Sequence, residues 1–191
     1  MLLIGCGTEE AAIRNVPPQN DRICCFGDSL VVGVGVDDEK ESYPSVLADT
    51  IGREVYTLGT PGDTTANGLE KCGKFRTGQF GIVIVTLGGN DILRRVPRET
   101  TEKNLESIFA DIQATGAVAV YTGVDGPLSV GSDRRYRQLC RRHGVIYVPN
   151  IMKGVLTDSA LKSDEIHPNA VGYRLIAERV ANVLKSAGLL E

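Results

Sequence analysis

Four short polar segments of the chain contain the residue types that nucleophilic hydrolysis of an acyl bond requires. They are Asp28-Ser29, residues 60–64, residues 88–91 and residues 164–168. Such hydrolysis needs a nucleophile, a base that takes its proton, a carboxylate that orients the base, and hydrogen-bond donors for the oxyanion. The four segments supply one of each, with a serine as the nucleophile. They therefore predict a serine-dependent hydrolytic site.

The chain contains two histidines, so the base can be sought by elimination. His143 ends a basic, helix-like segment immediately before Gly144, where a histidine interacts favourably with the helix C-terminus. His167 follows Asp164 by three residues, in a loop that precedes a helix. By itself this position suits a general base and a histidine that caps the helix equally well.

Strand-like and helix-like segments alternate along the chain and place the polar segments at strand ends. Five apolar runs predict strands at Arg22–Phe26, Glu54–Leu58, Gly81–Leu87, Ala117–Tyr121 and Val145–Val148. Helical spacing of apolar residues predicts helices at Tyr43–Ile51, Thr100–Ala114, Ser132–His143 and Asn169–Ser186. The alternation predicts a three-layer α/β/α sandwich around a mainly parallel five-stranded sheet. Right-handed crossovers would bring the carboxyl ends of the strands to one edge, where such folds have their sites.

The polar segments resemble the four sequence blocks of the SGNH hydrolases, which are also called GDSL esterases and lipases. The blocks read Gly27-Asp28-Ser29-Leu30, Gly62-Asp63-Thr64-Thr65, Gly88-Gly89-Asn90-Asp91 and Asp164-Glu165-Ile166-His167-Pro168. Each block alone is a weak signal, but all four occur in the family's order. The likeness is greatest to the bacterial arylesterase, thioesterase and lysophospholipase branch. It implies a flavodoxin-like SGNH hydrolase fold over residues 22–191.

The resemblance implies roles for five residues. Ser29 would be the nucleophile, His167 the general base, and Asp164 the carboxylate that holds the imidazole in the accepting tautomer. The oxyanion would be bound by the backbone amides of Ser29 and Gly62 and by the side-chain amide of Asn90. Glycine suits position 62 because a backbone that approaches the reacting carbonyl leaves no room for a Cβ atom.

The same resemblance implies hydrolysis of a carboxylic ester or thioester through an acyl-serine, with no metal and no cofactor. The substrate would be a small-molecule or lipid-like ester. The residues expected to contact it are Asp28, Arg94, Val124 and Pro127, although Asp28, like Asp63, is favoured as a loop-shaping carboxylate. Two alternatives stay open: removal of acetyl groups from carbohydrate on the same fold, and a non-catalytic binding lipoprotein at a surface.

The composition argues against several other classes of protein. With 191 residues, 42% of them hydrophobic, and a formal charge of −3, the chain predicts one globular domain without a general attraction for nucleic acid. The segment Gly68–Lys74 matches most of a P-loop, but Phe75 replaces the hydroxyl residue that binds magnesium. The five cysteines show no metal-ligand spacing. Cys24 and Cys25 are neighbours in a strand, so their side chains should face opposite ways.

The first 21 residues are expected to form a tether before the domain. Leu3-Ile4-Gly5-Cys6 resembles the end of a bacterial lipoprotein signal, without the basic and apolar stretches of a full signal. We expect either export with a membrane anchor at Cys6, or a cytoplasmic protein in which the resemblance is chance. The sequence leaves open the oligomeric state and a disulfide between Cys72 and Cys140.

Overall fold

A parallel sheet forms the centre of the molecule. The computed structural model describes residues 11–75, 79–124 and 132–190. Its five strands are β1 (Ile23–Gly27), β2 (Val55–Gly59), β3 (Ile82–Thr86), β4 (Val118–Thr122) and β5 (Ile146–Val148). They are ordered β2-β1-β3-β4-β5, and every pair is parallel. The predicted sheet is confirmed, with each strand starting one residue later than the apolar run indicates.

Seven α-helices accompany the strands within the described residues: six lie between strands and the last follows β5. They are α1 (Ser29–Val32), α2 (Tyr43–Ile51), α3 (Thr65–Lys71), α4 (Gly89–Leu93), α5 (Arg98–Ala114), α6 (Ser132–His143) and α7 (Ala170–Ser186). The four long helices agree with the predicted ones to within two residues at each end. The short helices α1, α3 and α4 were not delimited in the sequence, because one or two turns carry little periodic signal.

The helices cover the sheet on both faces and produce two separate apolar cores. One core contains residues of α1, α2 and α7, and the other contains residues of α3, α5 and α6. Cys25 belongs to the first core and Cys24 to the second, so these neighbours do point to opposite faces. Cys72 and Cys140 are both buried as free thiols. The predicted three-layer sandwich is confirmed.

The segment expected to be a tether is attached to the domain over residues 11–21. The side-chain nitrogen of Asn15 donates to the carbonyl oxygens of Gln113 and Ala117, at 2.9 Å each. The amide of Arg14 donates to the carbonyl of Gly144. The carbonyl of Gln113 lies in the last turn of α5 and also accepts from the amide of Gly116 at 3.1 Å, so Asn15 adds a second donor there. These contacts lie at the amino edge of the sheet.

Cys6 lies outside the described residues. Within the part of the chain that the structure describes, no helix combines the length and the apolar character that a membrane span requires.

Candidate active site

Ser29 lies where β1 ends and α1 begins. Asp28 caps this helix: its carboxylate accepts a hydrogen bond from the amide of Leu30 at 3.0 Å, and its carbonyl accepts from the amides of Val31 and Val32. The cap satisfies amides that a helix start leaves without partners. Among the described residues, none accepts a hydrogen bond from the amide of Ser29 itself. That amide is therefore available to a ligand.

The side chains of Ser29, His167 and Asp164 form a continuous hydrogen-bonded chain. His167 Nε2 lies 3.1 Å from Ser29 Oγ, and His167 Nδ1 lies 2.7 Å from Asp164 Oδ2. The other carboxylate oxygen of Asp164 accepts from the amides of Ile166 and His167, at 2.8 Å each. The loop before α7 thus positions the histidine through its own backbone, and the fold brings it to a serine 138 residues earlier.

The charge on Asp164 determines which nitrogen of the imidazole carries the proton. Its pKa is lowered to about 2, mainly by the hydrogen bond from His167 and next by the amide of Ile166. Asp164 is therefore ionised at neutral pH and accepts a proton from Nδ1. In the neutral ring Nε2 is then unprotonated and can accept a hydrogen bond from the hydroxyl of Ser29.

Asn90 joins three loops at the carboxyl edge of the sheet. Its side-chain nitrogen donates to the carbonyl of Asp63 at 3.0 Å and to the carboxylate of Asp28 at 3.2 Å. Since both partners are acceptors, they determine which end of the amide is the nitrogen. Both acceptors use the side-chain N–H groups of Asn90, so an oxyanion bound here would share one of these groups with Asp63 or Asp28.

Gly62 occupies a tight turn after β2. Its φ is +83°, Pro61 precedes it, and the amide of Asp63 donates to the carbonyl of Thr60 at 3.2 Å, which are features of a type II turn. Among the described residues beyond its chain neighbours, a Cβ atom at Gly62 would meet only a guanidinium nitrogen of Arg94, at 3.4 Å. The positive φ, rather than a lack of room, therefore explains the glycine. No described residue accepts a hydrogen bond from the Gly62 amide.

Asp28 is a buried carboxylate next to the nucleophile. Only 2% of it is exposed, and burial raises its pKa to about 6. The hydrogen bonds from Leu30 and Asn90 and the proximity of His167 act in the opposite direction, while the charge of Asp63 raises the pKa further. Its two oxygens hold the start of α1 and the amide of Asn90.

Asp63 and Asp91 brace the loops that surround the groove. Asp63 forms an ion pair with Lys71. Asp91, which is 1% exposed, accepts hydrogen bonds from the amide and hydroxyl of Thr65, at 2.9 and 2.6 Å, and from the hydroxyl of Thr101 at 3.2 Å. It thereby connects α4 to the starts of α3 and α5.

A groove of about 210 Å³ opens beside Ser29 and His167. Most of its lining is apolar and comes from Leu30, Ile92, Leu93, Val124, Met152, Leu156 and Ile166. Val124, an expected substrate contact, is in this lining, as is Asp28. Pro127 lies outside the described residues. Arg94 is not part of the lining: its Nη2 atom donates to the carbonyl of Gly62 at 2.8 Å.

Most of the apolar lining was not assigned to the groove from the sequence. Ile92 and Leu93 directly follow the third block, and Leu93 is 58% exposed. An apolar pair directly after site residues is a signal that the sequence offered. Met152 and Leu156 come from the irregular segment after β5, and no local pattern connects them with Ser29.

The remaining sequence candidates lie away from this groove. His143 ends α6 at the amino edge, with Nε2 3.3 Å from Glu106. Gly68, the first residue of the P-loop-like segment, lies in α3, and a Cβ atom there would be 2.4 Å from a methyl carbon of Leu87. Close packing on the sheet therefore explains that glycine. The described residues contain no group of three or more histidine, cysteine or acidic side chains placed to bind a metal.

The comparisons with known proteins agree on one family. The model of the GDSL-like lipase/acylhydrolase family matches residues 25–175. An arylesterase of Vibrio mimicus is 30% identical over 178 residues, which cover 86% of this chain and 88% of the relative. Thioesterase 1/protease 1/lysophospholipase L1 of Escherichia coli K12 is 29% identical over 177 residues, covering 86% of this chain and 84% of the relative.

A solved structure shows the same fold. The crystal structure of TesA superposes with a TM-score of 0.79 at 25% identity, covering 86% of this chain and 98% of that one. The family match extends over most of the chain and includes the loops that contain Ser29, Gly62, Asn90, Asp164 and His167. The four polar segments of the chain match the SGNH blocks. The chain belongs to the GDSL-like lipase/acylhydrolase family.

Proposed function

We propose that the protein hydrolyses carboxylic esters or thioesters through an acyl-Ser29 intermediate. The observation that carries this proposal is the hydrogen-bonded chain from Ser29 through His167 to Asp164, at the wall of an open groove. This arrangement contains the nucleophile, base and orienting carboxylate that acyl transfer to a serine requires.

His167 transfers the protons in both half-reactions. Nε2 takes the proton of the Ser29 hydroxyl as Oγ attacks the acyl carbon, and it then donates that proton to the leaving alcohol or thiol as the acyl bond breaks. In the second half, a water molecule gives its proton to Nε2 and attacks the acyl carbon. The proton returns to Ser29 as the acid leaves. Asp164 stabilises the imidazolium in each half-reaction.

Three donors support the tetrahedral intermediate in this proposal. The amides of Ser29 and Gly62 have no acceptor among the described residues, and the side-chain amide of Asn90 lies between the same loops. Donors that are held in place before the reaction stabilise the developing oxyanion without reorganisation, and the loss of one typically costs about 10²–10³ in turnover.

The groove supports an acyl ester as the substrate. Its apolar lining suits a hydrocarbon chain better than a carbohydrate, which would need polar partners. Leu93 and Ile166 both line the groove and are 58% and 42% exposed, so their apolar side chains are accessible to an entering acyl chain. The names arylesterase and thioesterase among the relatives support the same substrate class.

Labelling with a fluorophosphonate probe tests the proposal. The probe forms a covalent bond with an activated serine, so the wild-type protein should be labelled and Ser29→Ala should not. Ser186→Ala, at the exposed end of α7, is the matched control and should be labelled like the wild type. Equal labelling of Ser29→Ala and the wild type would overturn the assignment of the nucleophile.

A further inference from the structure

Three side chains that follow β3 hold the loop that contains Gly62. Arg94 Nη2 donates to the Gly62 carbonyl at 2.8 Å, and Asn90 Nδ2 donates to the Asp63 carbonyl at 3.0 Å. Asp91 Oδ2 accepts from the Thr65 amide at 2.9 Å. Asn90 lies in the first turn of α4 and Arg94 is the residue that caps its carboxyl end; being four residues apart, they lie on the same side of the helix. One side of this short helix therefore supplies the amide of Asn90 and also restrains Gly62.

Gly62 needs such a restraint because the other hydrogen bonds of its turn are made by its neighbours Thr60 and Asp63. Its surroundings are open: apart from its chain neighbours, Arg94 is the one described residue that would lie within 4 Å of a Cβ atom there. Glycine has more conformational freedom than other residues, so a glycine in a turn loses the most entropy when it is fixed. A donor to a transition state must nevertheless keep its position to within about 0.5 Å.

Arginine is well suited to restrain this carbonyl. The side chain is exposed, and its cationic N–H group makes a charge-assisted hydrogen bond, which is roughly twice as strong as a neutral one. The guanidinium is therefore directed to the backbone of Gly62, not into the groove, whose lining does not include Arg94.

We propose that Arg94 is a positioning residue for the reaction, which acts by holding Gly62 so that its amide points at the oxyanion. This inference rests on the proposed function of Ser29 and Gly62. It replaces the sequence-based expectation that Arg94 contacts the substrate.

Substitutions at Arg94 test the inference through the division of the effect between kcat and KM. Arg94→Gln and Arg94→Lys are compared with the wild type on two esters of equal acyl-chain length. One is a neutral p-nitrophenyl ester, and the other has an alcohol portion that is negatively charged in the intact substrate. An alkylboronic acid, which forms a tetrahedral adduct with an active serine, reports the oxyanion contacts separately. The matched control is Arg95→Gln, because Arg95 is also exposed and forms no hydrogen bond or ion pair through its side chain with the described residues.

Arg94→Gln should lower kcat for both esters by about 10- to 100-fold and leave KM within about twofold. The affinity for the boronic acid should fall by a similar factor. Arg94→Lys should recover part of the loss, since an ammonium group can donate to the same carbonyl. Arg95→Gln should behave like the wild type, and thermal unfolding should show that all variants fold.

Two results would overturn the inference. An unchanged kcat on the neutral ester would show that Gly62 does not depend on Arg94. An effect confined to KM for the anionic ester would show that Arg94 binds substrate. Failure of the proposed function is distinguishable, because it would appear as undiminished fluorophosphonate labelling of Ser29→Ala, whatever the Arg94 variants do.

Discussion

Two carboxylates near His167 have opposite environments. The Asp164 side chain is 52% exposed and its pKa is lowered to about 2, whereas Asp28 is 2% exposed and its pKa is raised to about 6. Asp164 accepts three hydrogen bonds, one of them from the imidazole. Asp28 accepts one from Leu30 and one from Asn90, and burial outweighs both.

The contrast separates two tasks that carboxylates perform in one site. The anion that stabilises the imidazolium is half-exposed and well hydrogen-bonded, so it stays charged at little cost. The carboxylate beside the nucleophile is costly to ionise, and its contacts are those of a scaffold that places α1 and Asn90. We therefore expect the two residues to respond differently to the same isosteric change.

Asp164→Asn should produce the largest loss. An amide nitrogen facing His167 Nδ1 cannot accept its proton, so the ring would adopt the wrong tautomer and kcat should fall by roughly 10³–10⁴. Steady-state kinetics on a p-nitrophenyl ester measure the effect. The control is Asp158→Asn. Asp158 is an exposed residue in the same loop region, where its carboxylate caps a short helical turn by accepting from the amide of Ala160. A loss below tenfold would mean that the imidazole is oriented by something else.

Asp28→Asn should produce a smaller loss, about 10- to 100-fold in kcat, with KM nearly unchanged. Both oxygens of Asp28 act as acceptors, and an amide has one oxygen, so either Leu30 or Asn90 loses its partner. The same assay applies, with Asp49→Asn on the exposed surface of α2 as the control. A loss as large as that of Asp164→Asn would break the distinction between the two carboxylates.

The pH dependence of stability gives a third test of the contrast. The pKa of Asp28 is raised from 3.8 to about 6 by folding, so its contribution to stability is full below pH 4 and is lost as the pH rises through 6. Relative to Asp28→Asn, the wild type should lose about 2 kcal/mol of unfolding free energy between pH 4 and pH 7.

Urea unfolding of both proteins at pH 4 and pH 7 measures this difference. Asp49→Asn, on the exposed surface of α2, is the control. Its stability difference from the wild type should change much less over the same interval. A constant difference for Asp28→Asn as well would contradict the raised pKa.

The long elements of the fold were predictable because local signals specify them. The β-branched run at Gly81–Leu87 predicts β3 with one residue too many at each end, and glycines after α2 and α6 end these helices at the predicted residues. The helix α1 was not delimited in advance, because its four residues depend on the Asp28 cap and on contacts with the sheet.

The contacts of residues 11–21 with the domain could not be predicted from local signals. Their polar, proline-containing composition predicts a tether, yet Asn15 finds carbonyl partners around residue 115 that a pattern in the segment itself cannot reveal. Polar sequence indicates only that a segment need not be buried. Whether it is attached depends on carbonyl acceptors that other elements of the fold present to it.

By itself the sequence determined which chemical groups end each strand, since the order of the blocks and the parallel topology together place Ser29, Asn90 and His167 at one edge. Tertiary structure alone decided how those groups are used. It buries Asp28, it turns Arg94 to the carbonyl of Gly62, and it completes the groove with Met152 and Leu156. Burial and contacts between residues far apart in the chain depend on packing, which no local pattern encodes.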